Sequence, residues 1–252
     1  MTAASRLLAA RARARNGARP EDQRPSDIDA AYRIQRDVIA ARGRPVQGWK
    51  VGCTSPMAQR MLRYEKPFYG RLLDGFVHQS PAELDTRAFH IRLLEAEYAF
   101  RLARDLPPAG RPYDRDRVAE AVAAVHPAIE VVDTAFTDWL AVGIESLIAD
   151  NGAHGTFVIG PGTSDWHGLD LVEAPVTLAI EGGATVEGKG ANVLGHPLES
   201  LAWMANAAAA EGGLRAGDIV TTGSAIPPQM VGPAGRATAT FAGLGTVSVA
   251  FV

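Results

Sequence analysis

In the run "IRLLEAEYAF", Glu95 and Glu97 stand one residue apart among apolar neighbours. A strand has a side-chain period of two, so Glu95, Glu97 and Ala99 share one face, and Leu94, Ala96, Tyr98 and Phe100 the other. Two like charges on one face repel, more strongly out of water. Either solvent compensates them, on the polar face of an edge strand, or a bound cation does. Glu130 raises the same question in "HPAIEVVDT", where Ala128, Glu130 and Val132 fall on one strand face and Ile129 and Val131 on the other. Together the three glutamates would make an oxygen-only, hard site, which suits Mg2+, Mn2+ or Ca2+ better than zinc.

Lys50 is the next informative residue. Of 25 basic residues, only Lys50, Lys66 and Lys189 are lysines. Lys50 lies between Trp49 and Val51. A lysine can exchange a proton near neutrality once burial shifts its pKa, and an arginine cannot. The plainer reading is a stem that crosses the core and an amine that reaches water. Lys189, between glycines, reads as a turn. His78, His90, His126, His154, His167 and His196 are scattered without metal-ligand spacing, and each alone reads as structural or surface. "GKGANVLG" lacks the spacing of a dinucleotide-binding loop, and there is no Walker loop, H-E-x-x-H or G-x-S-x-G.

The elements that must position these residues follow from periodicity. In "SDIDAAYRIQRDVIAARG", Ile28, Ala31, Ile34, Val38 and Ala41 recur at helical spacing, with Ser26 as N-cap and Gly43 as stop. "VQGWKVGC" and "AIEVVDT" read as strands. "DRVAEAVAAV" reads as a helix ended by His126-Pro127, and "TDWLAVGIESLIAD" as another. The last hundred or so residues are short, β-branched, glycine-punctuated segments that read as strands and hairpins. One helix interrupts them, "PLESLAWMANAAAAE", with Pro197 in its first turn and Gly212 at its end. Strands and helices do not alternate regularly, so a doubly wound parallel sheet is not indicated.

The totals set bounds. The 252 residues, 47% hydrophobic, permit a sizeable core. A net charge of −3 makes no electrostatic case for nucleic acid. The single cysteine, Cys53, excludes an internal disulfide and fits a reducing, cytoplasmic setting. No apolar run approaches the roughly 20 residues that span a bilayer. "MTAASRLLAARARARNGARP" carries five arginines and no acid. It reads as an Arg-rich first helix packing Leu7, Leu8 and Ala12 on one side, in preference to a mitochondrial transit peptide.

Several segments in order, "AYRIQRDVIAARG", "GWKVGCTS", "YGRLLDG", "LLEAEYAF", "AIEVVDT", "IADNGAHGTFVIG", "GHPLESLAWMAN" and "GDIVTTGS", resemble the 2-keto-4-pentenoate hydratases of the fumarylacetoacetate hydrolase superfamily, with the 4-oxalocrotonate decarboxylases as close relatives. The likeness runs from about residue 26 to the C-terminus. It implies an α+β fold, with a mainly helical N-terminal region (residues 1–75) and a mixed β-sheet rolled into an irregular barrel as catalytic domain (residues 76–252). It implies Mg2+ or Mn2+ held by Glu95, Glu97 and Glu130. Lys50 and Asp74 match the family's proton-transfer positions, and Asn151, Thr222 and Ser224 positions near the substrate. Where the family reads "ADNAS" or "ADNGS", this chain reads "ADNGAHG": Ala153 replaces the serine and His154 follows. His154 is thereby a candidate donor to a second substrate carboxylate, or else points to solvent. The activity implied is hydration of a 2-hydroxy-2,4-dienoate in aromatic or related catabolism. A 4-oxalocrotonate-type decarboxylase and an acylpyruvate hydrolase are the alternatives, although no hydrolase-like "NDVTARD" segment is present. A homo-oligomer is implied, and association with a pathway partner enzyme is compatible with the resemblance, as is a non-catalytic role as that partner's metal-bound companion.

Overall fold

The computed structural model describes residues 2–12 and 24–252. Helix α1 (Ala3–Ala12) buries Ala4, Leu7 and Ala10. Leu8 is partly buried and Ala12 exposed, so the packing face is turned slightly from the expected one. The rest of the Arg-rich stretch lies outside the described residues. Helix α2 (Ile28–Arg42) is capped by Asp27, whose Oδ1 accepts from Ala30 N at 2.7 Å, and ends at Gly43 in the left-handed region. Ser26, the expected cap, instead donates its hydroxyl to Asp27.

Two sheets follow. The larger has the order β2-β1-β10-β5-β6-β7-β3, from β2 (Phe68–Leu73), β1 (Val46–Gly52), β10 (Ile219–Ser224), β5 (Leu93–Leu102), β6 (Val122–Val132), β7 (His154–Ile159) and β3 (Val77–Gln79), with the short β11 (Gln229–Met230) also on β5. The smaller runs β4-β13-β12-β8-β9, from β4 (Ala82–Leu84), β13 (Gly245–Phe251), β12 (Arg236–Phe241), β8 (Pro175–Ile180) and β9 (Thr185–Lys189). Both are mixed: β1–β10, β3–β7 and β4–β13 are parallel, and the remaining pairs antiparallel. Strands β12 and β13 lie against β6, and β8 against β5, so the sheets curl over a shared core of Leu94, Ala96, Tyr98, Phe100, Ile129 and Val131. This is the expected α+β architecture. Strands β1 and β2 precede residue 76 and yet hydrogen-bond into the larger sheet through β10.

Two helical expectations shorten. In "DRVAEAVAAV" the helix (α4, Arg115–Ala119) stops at Ala119; β6 begins at Val122 and continues through His126 and Pro127. Local alanines favour a helix, but pairing of Val122, Ala124 and Val125 with Leu102, Arg101 and Phe100 of the neighbouring strand overrides them. In "TDWLAVGIESLIAD" the helix is confined to α5 (Ile144–Ala149), because Gly143 has φ +83 and the turn begins only after it. The short α3 (Pro56–Leu62) has no buried residue, and α6 (Pro197–Ala207) starts at Pro197 as expected.

Candidate metal centre and active site

The larger sheet brings the three glutamates to one place. Glu95 on β5 is directly opposite Glu130 on β6, and Glu97 lies two residues along on the same face. One oxygen from each falls within 4.8 Å of the others, and among the described residues these are the group whose ligand atoms converge in this way. Glu97 and Glu130 are fully buried, and Glu95 partly so. The solvent reading of the pair is therefore wrong for this chain: β5 is an internal strand, not an edge.

Each carboxylate has its own partners. Strand β10 loses register between Thr221 and Ser224, which frees Gly223 N–H to donate to Glu97 Oε2 at 2.9 Å. Gly223 has φ +87, and a Cβ there would sit 2.0 Å from Thr54 Oγ1, so the turn requires glycine. Glu130 Oε1 accepts from His154 Nδ1 at 2.8 Å and lies 3.4 Å from Lys50 Nζ. Glu97 Oε1 and Glu130 Oε2 are buried with no hydrogen-bond partner in the chain. An unpaired buried carboxylate oxygen is costly unless something fills the gap. Oxygen-only donors that converge, two of them with an unpartnered buried atom, fit a hard divalent cation.

The charges follow from this burial. Loss of water, reinforced by Glu130's charge, pushes Glu95 up to about 7. Burial and the two neighbouring carboxylates hold Glu97 well above the usual range. Burial also acts to raise Glu130, but Lys50 and His154 outweigh it and hold that carboxyl below its ordinary value. Burial draws the Lys50 amine down, and the three glutamates together more than reverse it.

Lys50, only 3% exposed, donates to Gly152 O at 2.8 Å and sits 5.3 Å from the centre of the Phe68 ring. The carbonyl is aimed at it by three successive left-handed residues, Asn151, Gly152 and Ala153. That loop is held by Asn151, whose side chain accepts from Arg71 N at 2.8 Å and donates to Arg71 O at 3.0 Å. Asn151 thus commits one N–H and one oxygen lone pair to the edge of β2. Gly70 lets the loop approach, since a Cβ there would meet Asn151 O at 2.4 Å. Arg11 of α1 ties down Asp150 from the other side.

The other expected residues fare differently. His154 is 4% exposed, not pointed to solvent. A carboxylate only accepts, so the His154 Nδ1 bonded to Glu130 carries the proton. Burial lowers the imidazole's pKa despite Glu130, leaving a lone pair at Nε2, which has no partner. A lone pair suits a hydroxyl or water and does not suit a second carboxylate. Thr222 Oγ1 donates to Tyr98 O, and Ser224 Oγ to Ile226 O, so both hydroxyls serve the turn. Asp74 is exposed, and its Oδ1 accepts from Gln47. Lys50 faces Gly70 across the strands; four residues further at about 3.3 Å each put Asp74 roughly 13 Å along β2 from it. The fold does not bring Asp74 to the cluster. Thr54 and Thr221, not singled out in the sequence, are buried with unpartnered hydroxyls, Thr54 beside Gly223. Their only signal was position, in "GCTS" and "VTTG".

The family model described as Fumarylacetoacetate (FAA) hydrolase C-terminal matches residues 77–252, and the chain belongs to this family. Within it, the chain is 34% identical to the 2-hydroxyhexa-2,4-dienoate hydratase of Comamonas testosteroni, over 99% of this chain and 96% of that protein. It is 35% identical to the 2-keto-4-pentenoate hydratase of Burkholderia vietnamiensis, over 98% of this chain and 95% of that protein. Among solved structures, the 4-oxalocrotonate decarboxylase from Pseudomonas putida G7, complexed with magnesium and adipate, superposes with a TM-score of 0.85 at 28% identity, over 100% of this chain and 99% of that one.

Proposed function

We propose that the chain is a metal-dependent hydro-lyase that adds water to a 2-hydroxy-2,4-dienoate of the 2-keto-4-pentenoate type, giving a 4-hydroxy-2-keto acid. The observation that carries the reading is the convergence of Glu95, Glu97 and Glu130 beside the buried Lys50 amine. It is supported by hydratase relatives matched along nearly their whole length. Glu95, Glu97 and Glu130 would hold Mg2+ or Mn2+. A divalent cation there would supply Lewis-acid stabilisation of negative charge developing on the oxygens of a 2-keto acid. Lys50 Nζ, fixed by Gly152 O, would donate a hydrogen bond or proton to the substrate. Thr54 has a free hydroxyl to orient it, and the Gly223 turn between Thr222 and Ser224 shapes its surroundings.

A 4-oxalocrotonate-type decarboxylase is the second reading, favoured by the superposition on that enzyme along the full chain. Product analysis with Mg2+ separates the two. Supplied with 2-hydroxypenta-2,4-dienoate and, separately, 4-oxalocrotonate, the chain should form the hydrated keto acid from the first. Release of CO2 from the second with no hydration of the first would overturn the assignment. The same reading carries a cytoplasmic homo-oligomer, with association with a decarboxylase of the same route; the free, buried Cys53 is consistent with a reducing compartment. No described helix is long and apolar enough to cross a membrane.

A further inference from the structure

The two fully buried glutamates are held alike. Each has one oxygen engaged by a chain donor and the other free: Gly223 N–H on Glu97 Oε2, and His154 Nδ1 on Glu130 Oε1. The donor to Glu97 is backbone, set by the β10 turn. The donor to Glu130 is a side chain that begins β7, in register with Val132 where the β6–β7 ladder shifts. Lys50 Nζ is also near Glu130 Oε1, but at 3.4 Å, and it already donates to Gly152 O at 2.8 Å. The imidazole is therefore the short, directional contact that sets how the Glu130 carboxylate is turned.

We propose that His154 is a positioning residue for the metal centre: by holding Glu130 Oε1, it presents Oε2 alone to the point shared with Glu95 and Glu97, making Glu130 a one-oxygen ligand. This rests on the metal reading above and deepens it. A small divalent cation that must also admit a substrate and water is served by ligands that each occupy one position. Without the imidazole, the nearest donor to Glu130 is the Lys50 amine, towards which the carboxylate would turn. His154, which follows the alanine standing in place of the family's serine in "ADNGAHG", would then act through Glu130 and not on the substrate's far end.

The test uses Mn2+ alone as probe, with free Mn2+ read by electron paramagnetic resonance and no substrate present. Removing an outer partner of a metal-ligating carboxylate typically weakens binding about 10–100-fold, and that loss is expected for His154→Ala. His154→Asn keeps an N–H near the Nδ1 position and should return affinity to within about threefold of the parent. Should the alanine variant not fold by circular dichroism, His154→Leu keeps most of the volume and drops the donor. Parent-like Mn2+ affinity in the donor-less variants overturns the inference, as does equal loss in Asn and Ala. Glu97→Gln separates the layers. Mn2+ binding lost in Glu97→Gln but retained in His154→Ala removes this inference alone. An unsubstituted protein that binds no Mn2+ removes both it and the metal reading.

Discussion

Replacing Glu95 by glutamine should stabilise the metal-free protein, increasingly so as the pH rises. In the folded chain, burial and the charge of Glu130 push the Glu95 carboxyl from 4.5 up to about 7. An acid whose pKa is higher folded than unfolded holds its proton more tightly when folded. Its cost is absent below the unfolded value, grows as pH climbs between the two values, and is complete above the folded one. A move from 4.5 to about 7, at roughly 1.4 kcal/mol for each tenfold, corresponds to about 3 kcal/mol at full ionisation. The titration is shared with Glu97 and Glu130, so the figure belongs to the cluster and not to one carboxyl. Glutamine keeps the shape and removes the charge. Urea unfolding of parent and Glu95→Gln in a chelator should differ by under about 1 kcal/mol near pH 5 and by about 2–3 kcal/mol in favour of the variant near pH 8. Mn2+ at about 1,000 times its Kd should then reverse the order, because it adds about 4.1 kcal/mol to the protein that binds it. A chelated variant no more stable than its parent near pH 8, or a gap that does not change with pH, would refute the account of the cluster.

Three further outcomes follow from the placement of single side chains. Lys50→Met should fold and bind Mn2+ yet lose turnover by about 10²–10⁴-fold, and Lys50→Arg should fail too if a proton is transferred; an active arginine variant, in steady-state assays, would leave only a role for charge. Asn151→Ala removes both bonds to the Arg71 backbone and should cost about 1–3 kcal/mol in chemical denaturation, so an unchanged midpoint would free Asn151 for a substrate role. Asp74→Asn should shift stability by no more than about 0.5 kcal/mol and leave kcat/KM unchanged, and a large loss of kcat would return Asp74 to the site.

Much of the acidic cluster was legible because it rests on strand periodicity. Glu95 and Glu97 share a face for the same reason that Leu94, Ala96, Tyr98 and Phe100 share the opposite one, and the structure buries that second set in the core. Glu130 could be placed on a strand face by the same rule, but its meeting with Glu95 depends on the β5–β6 register, which pairs residues 35 positions apart. Local propensity misled where a neighbour's hydrogen bonds outweighed it, in the alanine-rich start of β6, and where one glycine delayed α5.

The sequence by itself determined the kinds of group available: three carboxylates on strand faces, a rare lysine, and a histidine beside the alanine that replaces the resembled family's serine. Only the tertiary structure decided which of them meet and with which atoms. It carried Asp74 past the end of β2 to solvent, tied the Asn151 amide to the Arg71 backbone, and turned His154 inward onto Glu130. Side-chain period is a property of neighbours along the chain. The choice of the one oxygen left free on Glu97 and on Glu130 is made by donors from β10 and β7, distant in sequence and adjacent only once the sheet has formed.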